Sequence, residues 1–205
     1  MIIKQVPIRG IIETNAYFYI DESSKHGFLI DPGAEAEKLL RLIAENGWTI
    51  EKILLTHGHF DHIGAVESIS HALDIPYLAH RNGANYLPNP NFNLSAFFGR
   101  DIILNDAQYL DDGDVIKPAA KPEVALQVIH TPGHTQDGVV YYDAANATAF
   151  VGDTIFKHSV GRTDIPGGDF NQLMQSIENK IFTLPTDTVL YTGHTAPTTV
   201  GGEQE

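Results

Sequence analysis

The chain of 205 residues contains no cysteine, which removes disulfide frameworks, thiolate metal sites and cysteine nucleophiles at once. Basic residues are scarce: 13 lysines and arginines stand against 26 aspartates and glutamates, for a formal net charge of −13. Two bound divalent cations would offset only about four of those charges. A surface this acidic repels phosphate backbones, so no nucleic-acid partner is expected. No stretch approaches the roughly 20 apolar residues that span a bilayer, and Met1-Ile2-Ile3-Lys4-Gln5-Val6-Pro7 lacks the apolar core of a secretion signal. The expectation is a cytoplasmic protein without membrane contact. No linker, repeat or shift in composition interrupts the chain, and residues 1–205 are read as one domain.

Metal-ligating side chains, by contrast, are concentrated. His57, His59, Asp61 and His62 fall within the run Thr56-His57-Gly58-His59-Phe60-Asp61-His62, and His134, Asp153 and His194 follow far downstream. Seven nitrogen and oxygen donors suffice for two transition-metal ions if one carboxylate bridges. His57, His59 and Asp61 share parity, so in an extended loop they lean to one side, while His62 can open the helix that follows. This differs from His-Glu-x-x-His, which sets two histidines one turn apart on a helix. Any one of these residues alone would read as an ordinary polar residue, but the set as a whole is too dense for that. His26, His71, His80 and His158 read as surface or strand-end residues. His130, four residues before His134, is either another of these or a group that orients a ligand.

Hydrophobic periodicity supplies the frame. Strands are expected at Ile2–Ile8, Ala16–Ile20, Gly27–Ile30, Lys52–Leu55, Val124–Ile129, Val139–Asp143, Thr148–Val151 and Thr188–Thr192. Helices are expected at Glu35–Glu45, over 62–73 with Ile63, Val66, Ile69 and Leu73 on one face, and from about Asp169, which can cap its first turn. Residues 81–113, interrupted by Pro88, Pro90 and Gly99 but carrying Tyr86, Phe92, Phe97 and Phe98, are a flap, a contact within a homo-oligomer, or a loop folded onto the core. Strand–helix alternation in two similar halves predicts an α/β (α+β) fold of two face-to-face sheets with helices outside. Each group of metal ligands lies just past an apolar run, so four strand ends should converge.

At this point the chain resembles the metallo-β-lactamase superfamily, in its hydroxyacylglutathione hydrolase (glyoxalase II)-like branch. The resemblance is carried by His57-Gly58-His59-Phe60-Asp61-His62, His130-Thr131-Pro132-Gly133-His134-Thr135, Gly152-Asp153-Thr154 and Thr192-Gly193-His194, four motifs in the family's order over nearly the whole chain. It implies the αββα sandwich. It also implies that His57, His59 and His134 hold one metal and Asp61, His62 and His194 a second, with Asp153 bridging. A hydroxide held between the two ions would be the nucleophile, with Asp61 orienting it or taking its proton. Imidazole and carboxylate ligands suit zinc first, and accept iron or manganese.

The resemblance also bears on the substrate. β-Lactamases generally lack the bridging aspartate, so Asp153 points away from antibiotics. Arg162 aligns with a basic glutathione contact, whereas Asp164 and Ala196 stand where the family has tyrosines. Arg162 and Asp164 would form a buried pair beside the metals, or Arg162 would anchor the substrate. The stretch Ser159-Val160-Gly161-Arg162-Thr163-Asp164 is also similar to persulfide dioxygenases, whose single iron would use His57, His134 and Asp153. The leading expectation is a thioesterase acting on a small molecule such as S-lactoylglutathione; a persulfide dioxygenase and a lactone or ester hydrolase are the alternatives.

Overall fold

A computed structural model gives the structure of residues 1–204. Its first sheet contains β1 (Ile2–Arg9), β2 (Glu13–Ile20), β3 (His26–Ile30), β4 (Thr49–Leu54), β5 (Tyr77–His80) and β6 (Gln108–Leu110), side by side in that order. β1 to β3 run antiparallel and β3 to β6 parallel. The second sheet contains β7 (Val115–Ile116), β8 (Leu126–His130), β9 (Val139–Asp143), β10 (Thr148–Gly152), β13 (Val189–Thr192) and β14 (Thr198–Thr199), again as neighbours in that order. A small hairpin, β11 (Ile155–Phe156) and β12 (Ser159–Val160), stands apart from both sheets.

The period-2 pattern of the strands sorts side chains into three cores. Between the sheets lie Tyr17, Tyr19, Phe28, Ile30 and Leu54 of the first and Val128, Tyr141 and Phe150 of the second. Their sequence neighbours Phe18, Leu29 and Ile53 point the other way, onto α1 (Ala36–Asn46) and α3 (Val66–Leu73), through Leu39, Ile43, Val66 and Ile69. On the far side Val140, Ala149, Val151 and Leu190 meet Leu173 of α4 (Phe170–Ser176) and Ile177 and Ile181 of the π-helical turn behind it. The result is the expected αββα sandwich. Truncating a fully buried side chain such as Leu39 or Leu173 to alanine should cost about 2–5 kcal/mol.

Local signals set most helix ends. Asp169 caps α4 by accepting the Gln172 N–H at 3.0 Å. Gly47, at φ 62°, closes α1 with its N–H on the Ala44 and Ile43 carbonyls.

The helix expected over 62–73 is two helices, α2 (Phe60–Ile63) and α3. The loop after β3 passes so close that a Cβ on Gly33 would lie 1.6 Å from the Asp61 carbonyl oxygen, and one on Gly64 would lie 2.2 Å from that of Gly33. The Ala65 amide leaves the helical ladder to donate to the Pro32 carbonyl at 2.9 Å. A tertiary contact breaks what periodicity alone would continue.

Residues 81–113 fold onto the core. Tyr86, Leu87, Asn93 and Leu104 are buried. Asn93 holds the segment closed, its Nδ2 donating to the Tyr86 and Ile102 carbonyls and its Oδ1 accepting from Ser95 N–H. Phe98 remains on the outside, tilted on Phe60 at 4.6 Å between ring centres.

Candidate metal centre

Four strand ends meet at one edge of the sandwich. β4 leads into His57 and His59, β8 into His134, β10 into Asp153 and β13 into His194, while Asp61 and His62 lie on α2. Open sheets leave backbone and side chains free just past their strand ends, which is where ligand sites form. Gly193 allows the convergence, since a Cβ there would lie 2.1 Å from Asp153 Oδ1 and 2.9 Å from His62 Cε1.

All seven expected residues are brought together. His57 Nε2 and His134 Nε2 each lie 3.0 Å from His59 Nδ1. Asp153 turns Oδ2 toward His134 Nε2 at 3.6 Å and His194 Nε2 at 3.1 Å, and Oδ1 toward His62 Nε2 at 3.4 Å. Asp61 Oδ2 is 3.3 Å from His194 Nε2 and 3.6 Å from His62 Nε2.

These separations match the edge of a coordination tetrahedron, about 3.3 Å for nitrogen–metal bonds of about 2.05 Å. Three overlapping groups of donors result: His57, His59, His134; His57, His62, Asp153; and Asp61, His62, His194. His62 Nε2 and Asp153 Oδ1 are buried without a hydrogen-bond partner. Such orphaned polar atoms are costly unless something binds them. The residues therefore fit a metal.

The outer nitrogens explain the orientation. His62 Nδ1 donates to Asp31 Oδ2 at 2.9 Å, His134 Nδ1 to the Arg162 carbonyl at 2.8 Å, and His194 Nδ1 to the Glu13 carbonyl at 2.7 Å. His57 Nδ1 is 3.2 Å from Thr56 Oγ1, whose hydroxyl donates to Asp31 Oδ2 at 2.5 Å. A proton held on the outer nitrogen leaves the inner one with a lone pair for a metal. His59 is reversed, with Nδ1 inward and Nε2 buried without a partner.

Electrostatics divides the cluster. Burial, followed by neighbouring histidines, holds His57 well below the ordinary imidazole range and His59 down to about 3; burial also lowers His134. Burial would lower His62 and His194 too, but the carboxylates of Asp153 and Asp61 outweigh it, raising His62 and pushing His194 up to about 10. One half presents neutral nitrogens; the other binds protons that a cation would displace.

One expectation needs correction and one alternative closes. Arg162 and Asp164 do pair, at 2.8 and 2.9 Å, but the side chains are 65% and 71% exposed; the expected buried pair is a surface one, because the loop after β12 runs along the rim. Arg162 itself lines the cleft over the cluster. His130 touches no ligand: its ring stacks on His80 at 3.9 Å and its Nε2 lies 2.9 Å from the Gln136 carbonyl. His80, at the end of β5, is buried, which lowers it to about 4.

Sequence reasoning missed Asp31, read only as the end of β3 in Asp31-Pro32-Gly33, although its carboxylate braces both His62 and Thr56. It also missed Asp137, a fully buried carboxyl without a hydrogen-bond partner, which burial pushes up to about 7. Its nearness to His134 in sequence was the only available signal.

A cleft of about 430 Å³ opens over the cluster, lined among others by Ile12, Phe98, Phe156, Val160, Arg162 and Ile165. An αββα sandwich with histidine and aspartate donors at the strand ends defines a metallo-hydrolase type of protein. The chain belongs to the metallo-beta-lactamase superfamily, whose family model matches residues 9–194. Among similar proteins is the hydroxyacylglutathione hydrolase GloC of Haemophilus influenzae, 30% identical over 100% of this chain and 95% of the relative. The BLEG-1 B3 metallo-beta-lactamase superposes with a TM-score of 0.92 at 38% identity, covering 99% of this chain and 96% of that one. TTHA1623, solved in a di-iron-bound form, gives a TM-score of 0.87 at 35% identity, covering 98% and 97%. Among the described residues no helix is long and apolar enough to cross a membrane.

Proposed function

We propose that this protein is a thioesterase for small molecules that works with two divalent metal ions, zinc or iron. The observation that carries the reading is that Asp153 lies between two sets of donors, its Oδ2 within 3.6 Å of both His134 and His194 and its Oδ1 at 3.4 Å from His62. When bound, such ions supply an acidified water as nucleophile and positive charge opposite the oxyanion developing on the attacked carbonyl. His57, His59 and His134 would hold one ion, Asp61, His62 and His194 the other. Asp61 Oδ2, fixed by the Thr14 hydroxyl at 3.1 Å, lines the cleft and is placed to orient the attacking water or receive its proton.

Similarity to GloC supports a glutathione thioester as the first substrate to try. Arg162 is the cation on the cleft wall, and Asp164 already engages it. Weak anchoring of a remote group raises KM more than it lowers kcat, so S-lactoylglutathione should be hydrolysed with poor saturation. Similarity to BLEG-1 supports a second reading, hydrolysis of the β-lactam amide by the same water.

The test is elemental analysis of protein purified without added metal, paired with assays of S-lactoylglutathione, penicillin and glutathione persulfide. About two ions per chain and thioester cleavage are expected. One ion per chain with no gain on reconstitution would end the two-metal reading. Oxygen uptake with glutathione persulfide, without thioester cleavage, would replace it by iron dioxygenase chemistry; cleavage of penicillin alone would favour the second reading.

A further inference from the structure

Behind the hairpin that joins β1 to β2 lies a second cavity of about 190 Å³, bounded by the loop leading into α1, by α3 and by residues 95–102. It shares Ile12, Phe60, Asp61 and Phe98 with the cleft over the metal centre. Small side chains, Ala34, Ala36, Ala65 and, from the exposed face of α3, Ser68, line it beside the apolar Ile12, Phe98 and Ile102. Ile12 and Phe98, at the boundary between the two spaces, leave 41% and 45% of their surface to water. Large apolar side chains exposed beside a reactive centre suit an apolar ligand that covers them.

Charge at the far rim adds a second constraint. Arg100 lines the cavity and forms no ion pair with a carboxylate among the described residues. Glu35, on the same rim, is already engaged: its Oε2 accepts from the Arg9 N–H at 2.8 Å and from Lys38 Nζ at 2.9 Å. The unspent charge there is therefore positive.

A thioester has two arms that diverge from its carbonyl carbon. With that carbon at the donor cluster, one arm can run along Arg162 and Ile165, which line only the cleft, and the other past Ile12 and Phe98, which line both spaces. We propose that the second cavity is an acyl subsite, taking an unbranched apolar acyl arm that ends in a carboxylate at Arg100. The assignment rests on the thioesterase reading. The volume allows about six groups of the size of a water molecule, which sets the length of the preferred arm at about six carbons.

The experiment uses the metal-loaded protein and thioesters of one neutral thiol, with acetyl, butanoyl, hexanoyl, decanoyl and adipoyl groups. kcat/KM should rise by up to about fourfold per added methylene as far as hexanoyl, then fall. Adipoyl should exceed hexanoyl, and Arg100→Gln should remove that excess. Ser68→Trp, introduced from the exposed face of α3, should lower the hexanoyl-to-acetyl ratio toward one.

Binding of acetate, hexanoate and adipate, followed by calorimetry on the same preparations, gives a readout that needs no turnover. If no thioester is cleaved but hexanoate binds more tightly than acetate and Ser68→Trp abolishes the difference, the thioesterase reading fails and the subsite stands. Cleavage and binding that are both independent of chain length in the unmodified protein overturn the subsite. An adipoyl excess that survives Arg100→Gln overturns its charged end.

Discussion

In the metal cradle, the outer nitrogens of His57, His62, His134 and His194 each meet an oxygen at 2.7–3.2 Å, and Asp31 braces two of the supports at once. In the walls of the cleft a few ångströms away, Ile12 and Phe98 stand half in water and Arg162 meets only an exposed aspartate. Around His57 and His62 the supporting hydrogen bonds are buried and converge on Asp31, so a change in that support is felt by both ligands. Of the wall residues, Ile12, Phe98 and Arg162 belong to none of the three cores, so changes there should cost little in folding. Stiffness is concentrated in the cradle, and freedom in the exposed side chains of the cleft walls.

The largest effect should come from the residue that joins the two donor sets. Asp153→Ala removes the carboxylate facing His62, His134 and His194, and should lose both ions and at least about a hundredfold in activity. Metal analysis and a rate measurement check it, and normal values for both would sink the assignment.

Asp31→Ala tests the support rather than the ligands. Losing the oxygens that hold His62 and Thr56 should weaken metal affinity about 10- to 100-fold, measured by competition with a chelator. An unchanged affinity would mean that packing alone orients the rings.

Asp137 gives a test by pH. Its pKa is raised from 3.8 to about 7 by burial, so the folded protein keeps a proton that the unfolded chain releases. Its contribution to stability is full below about pH 4, declines as pH rises toward 7 and stays low above it. Asp137→Asn removes that loss, on the order of a few kcal/mol. The Tm advantage of the variant should be larger at pH 8 than at pH 5; an equal difference at both would show that this carboxyl does not titrate with folding.

The smallest effects belong to the walls. Arg162→Ala should raise KM severalfold for an anionic thioester and leave Tm nearly unchanged, because an exposed ion pair adds little to stability. A fall in Tm with KM intact would reverse the comparison, making the pair structural. His26→Ala, which disturbs only the contact with Glu51 at 2.8 Å, should leave metal content untouched.

Legibility in the sequence follows the same division. The strands that build the two sheets were readable because alternating residues such as Phe18 and Tyr19 enter different cores, and that alternation is a local property of the chain. The short strands β5 and β11 to β12 were not readable: Tyr77–His80 is buried at every position, and the hairpin pairs only two residues with two, so neither carries a period. The helix over 62–73 was read as continuous because its break comes from Pro32 and Gly33, just over 30 residues earlier.

By itself the sequence determined the donor set: the dense run from His57 to His62 marked one group, although Asp61, expected by parity in the loop with His57 and His59, lies inside α2, and the apolar runs before His134, Asp153 and His194 put each at a strand end. Only the tertiary structure decided how those donors are held and what lies beside them. Asp31 reaches His62 across 31 residues, the Glu13 carbonyl reaches His194 across 181, and the cavity bounded by Ile12, Ser68 and Arg100 draws on four separate segments. A hydrogen bond or a cavity wall depends on where distant backbones come to rest, and local periodicity carries no record of that distance.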